Sequence, residues 1–279
     1  MSGEIMNERI LILGGDKRQQ YLADILKEKG KDVFHLRFSC DAYELDNILS
    51  YSHIILPLPV SKDKETLYSS DNLALRLDDV IGGIKPCHCV FASGLDCRIL
   101  DYFEDKDIDC CDFMKDKIFK KANAYLTAQG TLRLLLENTE DYIVGKKALI
   151  VGFGDVASTL GELLSGLGVE IYITARSLRK LSVAEYSGYK TIKLGEIEDR
   201  INNFDYIFGT VPVNILDEPT IKNIRQDSIY TELASYPFNA NKTYFQKHNK
   251  KYLNGSSLPG RYLPFAAGRI MAEYILSDL

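Results

Sequence analysis

The sequence predicts an α/β chain of two Rossmann-like domains with parallel sheets, joined by a long connector helix and leaving a cleft between them. Three observations carry the prediction. Short apolar runs alternate with amphipathic stretches through most of the 279 residues, the pattern of parallel strands with crossover helices. One stretch, NAYLTAQGTLRLLLEN at 123–138, breaks that rhythm as a single helix with Leu132, Leu135 and Leu136 on one stripe. At 149–161, LIVGFGDVASTLG, a strand ends at a glycine and restarts as a helix.

Taken in order, residues 9–13 read as a strand ending in Gly14-Gly15. A helix follows with Tyr21, Leu22, Ile25 and Leu26 on one face, closed by Gly30. Asp16 is placed to cap that helix rather than to act as a base. Strands are expected at 32–36, at 53–56 (stopped by Pro57 and Pro59) and at 87–92, with Ser93-Gly94 as the turn. These make an N-terminal α/β domain, 1–121, on the substrate side. The connector helix takes 122–144, and a second α/β domain 145–262. The tail, 263–279, is helical in pattern, with Ile270, Met271, Tyr274 and Ile275 on one face, and is expected to return to the first domain.

Composition narrows the function. A net charge of −5 argues against nucleic acid, which calls for a basic face. The start, MSGEIMNERI, lacks the apolar core of a secretory signal, and HIILPLPV is too short to cross a bilayer. A cytoplasmic location is expected, with the six cysteines as reduced thiols. Cys87-His88-Cys89 tempts a metal assignment. On a strand, however, alternate side chains point to opposite faces, and no second C-x-x-C pair completes a tetrahedral site. No metal is expected.

The chemistry-bearing motif is Gly152-x-Gly154-x-x-Ala157. Gly152 permits the tight turn, Gly154 lets backbone approach a pyrophosphate, and Ala157 allows close helix–strand packing. With Phe153, Asp155 and Val156 these residues form the cofactor loop, and the first amides of the helix supply the anion site. Val156, Leu160, Leu163, Leu164 and Leu167 are expected to face the sheet. NAD-binding chains place an acid at the end of the second strand, about 20 residues on, for the ribose 2′-hydroxyl. Here the segment is Thr174-Ala175-Arg176-Ser177-Leu178-Arg179-Lys180. Arg176 can fork onto a 2′-phosphate, Ser177 can donate a hydroxyl, and Arg179 adds charge, so NADP is the expected cofactor. Thr210-Val211-Pro212 follows a strand at the same sheet edge and is expected to pass beside the ribose and nicotinamide.

With these pieces placed, the chain resembles the family of dipicolinate synthase A subunits. Gly14-Gly15-Asp16-Lys17-Arg18-Gln19, Ile55-Leu56-Pro57, Ser93-Gly94, 123–131, the nucleotide loop, Ala175-Arg176-Ser177, Thr210-Val211-Pro212 and Leu258-Pro259-Gly260 carry the likeness. The resemblance implies NADP-linked oxidation of dihydrodipicolinate, a small dicarboxylate, to dipicolinate during sporulation, with the synthase's flavoprotein-like B subunit as partner. The family's Pro and Glu in the connector stand here as Leu126 and Gln129, and a lysine after L-P-G as Phe265. Two alternatives therefore stay open: an NADP-linked dehydrogenase of another small carboxylate, and a non-catalytic nucleotide-binding protein within a complex. A homodimer is compatible with either.

For the substrate, Arg18 is the first candidate to pair with a carboxylate. Thr127 and Gln129 on the connector are further candidates, as are Ser257 and Arg261 flanking Leu258-Pro259-Gly260. No general acid–base residue stands out. His35, His53 and His88 fall in expected strands and His248 in a polar stretch, so the histidine that a D-2-hydroxyacid dehydrogenase needs near the late loops is missing.

Overall fold

The computed structural model describes residues 8–37, 47–71 and 73–279. Cys40 lies outside them. The chain divides into two compact units, 1–123 with 263–279, and 124–262.

In the first unit, β1 (Arg9–Leu13), β2 (Asp32–Leu36), β3 (His53–Ile55), β4 (Cys89–Ala92) and β5 (Asp109–Asp112) form an all-parallel sheet in the order β2-β1-β3-β4-β5. This is a doubly wound, flavodoxin-like order. One face is closed by α1 (Lys17–Glu28) and the C-terminal helix, the other by α2 (Leu77–Gly83) and α3 (Cys97–Asp105). Asp16 does cap α1: its carboxylate accepts from the Arg18 amide while Gln19 Oε1 accepts from the Asp16 amide, a complete capping box. The C-terminal helix packs on α1 so closely that a Cβ at Gly268 would lie 2.6 Å from the Arg18 carbonyl oxygen.

Two boundaries differ from expectation, and one strand lies where none was expected. β4 begins only at Cys89, because Pro86 starts a turn that takes Cys87 and His88 out of the strand. β5, DCCD, carries no apolar run and is legible only through its pairing with β4. The connector helix, α4 (Lys117–Leu136), starts earlier than 122, where the Asp116 carboxylate accepts from the Phe119 amide at 2.6 Å, and stops well before 144.

In the second unit, β6 (Lys147–Val151), β7 (Glu170–Thr174), β8 (Lys190–Ile192), β9 (Tyr206–Gly209), β10 (Ile229–Glu232) and β11 (Lys251–Asn254) lie parallel in the order β11-β10-β9-β6-β7-β8. In unit-local numbering this is 6-5-4-1-2-3, the dinucleotide-fold order, with its switch point between β6 and β9. The crossover helices are α5 (Asp155–Gly166), α6 (Leu178–Tyr186), the short α7 (Ile197–Arg200), α8 (Glu218–Lys222) and α9 (Lys242–Lys247). α5 buries Ala157, Leu160, Gly161 and Leu164, whereas Leu167 is 39% exposed. The packed stripe is thus rotated from the expected one toward the small residues, which allow helix and sheet to approach. α10 (Leu258–Tyr262) follows β11, and α11 (Pro264–Asp278) is the C-terminal helix already placed on α1.

Candidate nucleotide-binding site

Parallel register aligns the strand ends. Thr174, Val151, Gly209, Glu232 and Asn254 form one row across the sheet, so the segments after β7, β6, β9 and β10 emerge at the same carboxyl edge. Gly152 and Thr210 sit side by side at the switch point, where ligands bind in open α/β sheets.

The two loop glycines differ in why they are needed. Gly152 has φ +111°, and a Cβ there would lie 2.5 Å from Thr210 Oγ1 and 2.6 Å from Val211 Cγ1. That glycine is demanded by the protein itself, which anchors Thr210 through its hydroxyl and amide to the Val151 carbonyl at 2.9 and 3.1 Å. Gly154 is exposed, and a Cβ there would meet nothing within 4 Å. Gly154 is also the N-cap of α5, with no side-chain cap to its amides. The first turn therefore keeps the positive end of the helix beside open space at Gly154. Such a helix end suits an anion. Phe153 lies edge-on to Tyr189 (6.0 Å between ring centroids), and Asp155 and Val156 in the first turn are half-buried.

Past β7, Arg176, Ser177, Arg179 and Lys180 are all exposed. No acid lies in this segment, and none of the ion pairs among the described residues engages Arg176 or Arg179. Ser177 is the N-cap of α6 but its side chain makes no capping bond. On the other side of the loop, Val211 is half-buried and Pro212 exposed.

A buried polar cluster below Thr210-Val211-Pro212 has no counterpart among the sequence expectations. Glu232, 1% exposed, accepts from the Tyr230 hydroxyl (2.8 Å) and the Ala240 amide (3.1 Å) on Oε2, and from the Ala234 amide (3.1 Å) on Oε1. Asn239 then donates from Nδ2 to the carbonyls of Val211 and Val213 at 3.4 and 3.3 Å. The cluster ties the loop after β10 to the loop after β9. Burial pushes the Glu232 carboxyl above its ordinary range, against the hydrogen bonds that favour its charged form. The only sequence signal is Glu232 itself, an acid at the end of a fully buried strand.

Among the substrate candidates, Thr127 and Gln129 are half-buried on α4. A Cβ at Gly130 would lie 2.8 Å from Leu258 Cβ, so the stretch carrying Thr127 and Gln129 runs against the one carrying Ser257 and Arg261. Ser257 is exposed with φ +54°, and Arg261 donates from Nη1 to the Asn254 carbonyl at 2.8 Å. Arg18, in the first unit, is not the open guanidinium expected. It is 4% exposed, its Nε and Nη2 bind the Asp16 carboxylate at 2.9 and 2.8 Å, and Nη2 also donates to the Leu58 carbonyl. With that fork edge taken, only its Nη1 side is left to offer a ligand. Among the histidines, Gly14 O takes His35 Nε2 at 2.8 Å and the Lys85 amide donates to His88 Nδ1, while His248 sits 3.0 Å from Glu218.

Residues 9–114 match the N-terminal domain of the dipicolinate synthase A subunit. The chain is 26% identical to the A subunit of Bacillus subtilis dipicolinate synthase, over 97% of this chain and 95% of that one. The crystal structure of the A subunit from Bacillus halodurans superposes with a TM-score of 0.83 at 19% identity, covering 99% of both chains. Over 48% of this chain there is also 33% identity to the shikimate dehydrogenase (NADP(+)) of Pelagibacter ubique, spanning 52% of that protein. The resemblance read from the sequence is thus shown along nearly the whole chain, and the protein is oxidoreductase-like with a dehydrogenase fold. Among the described residues no helix is long and apolar enough to cross a membrane.

Proposed function

We propose that this protein is an NADP-linked oxidoreductase that oxidises dihydrodipicolinate to dipicolinate, working with a flavoprotein-like B subunit, as the resemblance to the dipicolinate synthase A subunit suggests. One observation carries the cofactor: the uncapped start of α5 opens beside an acid-free β7 end that presents exposed Arg176 and Ser177. A carboxylate there would repel a 2′-phosphate, whereas a guanidinium can pair with it through two parallel hydrogen bonds.

When bound, a nicotinamide would accept the hydride, with the accompanying proton passing to solvent, so that the dihydropyridine ring would become aromatic. The protein's own share is to hold and orient. The α5 amides and Gly154 seat the diphosphate, Arg176, Ser177 and Arg179 take the 2′-phosphate, and Thr210-Val211-Pro212 forms the wall beside the ribose. Thr127, Gln129, Ser257 and Arg261 supply polar groups for the substrate.

The chain has no tryptophan, so nucleotide fluorescence can be followed directly in a titration with NADPH and NADH. NADPH is expected to bind more tightly. Arg176→Ala is expected to weaken NADPH by roughly 10- to 100-fold, about 1.4–2.8 kcal/mol, and leave NADH unchanged. Dihydrodipicolinate turnover is then assayed with and without the B subunit. Failure of both nucleotides to bind would end the oxidoreductase reading, and binding without turnover on this substrate would move it to another small carboxylate or to a non-catalytic role.

A further inference from the structure

Away from the nucleotide loop, three donors from three elements of the first unit converge. Cys89 opens β4, Cys111 lies in β5 and Asp278 in the last turn of α11, and their ligand atoms all lie within 4.8 Å of one another. Cys111 Sγ donates to Asp278 Oδ2 at 3.2 Å. The convergence follows from the fold. Cys89 pairs with Asp109 and Phe91 with Cys111, so the two thiols are diagonal neighbours on adjacent strands. Both belong to the sheet face that α11 covers, and the packing of α11 on α1 sets where its last turn falls. Both cysteines are half-buried and the carboxylate is exposed, leaving an approach from solvent.

We propose that Cys89, Cys111 and Asp278 form a binding site for a soft divalent cation, with zinc as the fitting ion and a fourth position left to water. Two thiolates and a carboxylate are a zinc donor set. Zinc bound to both sulfurs at about 2.3 Å with tetrahedral angles holds them about 3.8 Å apart, a spacing that the cluster can reach by small side-chain shifts. A disulfide fits less well. With parallel strands about 4.8 Å apart and a rise of about 3.3 Å per residue, partners offset by two residues lie roughly 8 Å apart between Cα atoms, beyond the usual disulfide span of about 4.4–6.8 Å. The carboxyl end of α11 adds its negative dipole end beside the cation. The sequence expectation of no metal rests on Cys87 and His88 as the partners of Cys89, and those two stay outside the cluster. Cys87 is exposed, and the buried His88 ring is held by the Lys85 amide.

The test is a Co2+ titration of the reduced, chelator-treated full-length protein, followed in the near ultraviolet, with Zn2+ as competitor. A sulfur-to-cobalt charge-transfer band saturating at one equivalent and displaced by Zn2+ is expected. It should vanish in Cys89→Ser and Cys111→Ser and persist in Cys97→Ser. Asp278→Asn, exposed on a helix end where it leaves the fold intact, is expected to weaken Co2+ by at least about 10-fold. Absence of the band, its survival in Cys89→Ser, or unchanged affinity in Asp278→Asn would overturn the site. So would recovery of a Cys89–Cys111 disulfide peptide from protein purified without reductant. Nucleotide binding does not enter the readout, so this site stands or falls independently of the oxidoreductase reading.

Discussion

Asp16 follows β1 in the first unit, and Glu232 closes β10 in the second. Both are largely buried carboxylates at the carboxyl edge of a parallel sheet, but their surroundings are opposite. Asp16 faces a buried cation, Arg18, with the Tyr68 hydroxyl donating from 3.2 Å. Glu232 faces neutral donors alone: the Tyr230 phenol and the backbone amides of Ala234, Asn239 and Ala240. Burial by itself would raise Asp16, but the Arg18 guanidinium and amide together bring it below its ordinary 3.8. Glu232 lacks such a partner, and burial leaves it above 4.5. The difference teaches that the same strand-end position can hold a residue as half of an ion pair or as a neutral-donor hub. The two respond differently to substitution and to pH.

The largest expected effect tests the ion pair. Asp16→Asn retains the shape of the cap but leaves Arg18 buried without its counter-charge, which should cost about 3–5 kcal/mol of first-unit stability. Amide hydrogen exchange resolves this unit by unit. Replacing both residues (Asp16→Asn with Arg18→Met) should recover most of the loss, since a buried pair removed together is often close to neutral. If the double variant is as unstable as the single one, the pair is not what distinguishes this site.

Glu232→Gln tests the hub with a smaller effect. Both carboxylate oxygens accept an amide N–H, so either orientation of a glutamine amide points its NH2 at a donor. A loss of about 1–3 kcal/mol, confined to the second unit, is expected by denaturant unfolding with exchange mapping. Because Asn239 holds the carbonyls of Val211 and Val213, NADPH affinity should fall with it. Unchanged stability and affinity would mean that the cluster does not shape the wall beside Thr210.

The smallest effect is the pH dependence, at most about 1.4 kcal/mol per pH unit for one proton. Asp16 is lowered on folding, so its stabilisation is present above 3.8 and lost as pH falls through the folded value. The Asp16→Asn penalty should therefore shrink in acid. Glu232 is raised on folding, so its contribution is present below 4.5 and lost as pH rises through the folded value. The Glu232→Gln penalty should shrink in the opposite direction. Penalties that shift with the same sign in both variants would break the comparison.

The sequence by itself determined the elements whose signal is local. Alternation marked the parallel strands, the spacing of Gly152, Gly154 and Ala157 marked the loop at the switch point, and Asp16 just past Gly14-Gly15 marked the cap of α1. The acid-free segment after β7 was equally legible, because a strand end and the residues just past it are contiguous in the chain. What required the tertiary structure was everything built from distant parts. β5, with aspartates at both ends, is a strand only because β4 pairs with it, and the short β8 and polar β11 are ordered in the same way. Arg18 reads as an open cation until the fold buries it against Asp16 and the Leu58 carbonyl. Ala240 and Asn239, which tie Glu232 to the loop after β9, arrive on a loop that returns across the sheet edge, and Cys89 meets Cys111 and Asp278 only after two strands and the last helix have packed. Local periodicity fixes which backbone groups are satisfied within a segment, whereas a buried charge or thiol takes its character from neighbours that chain order does not bring near.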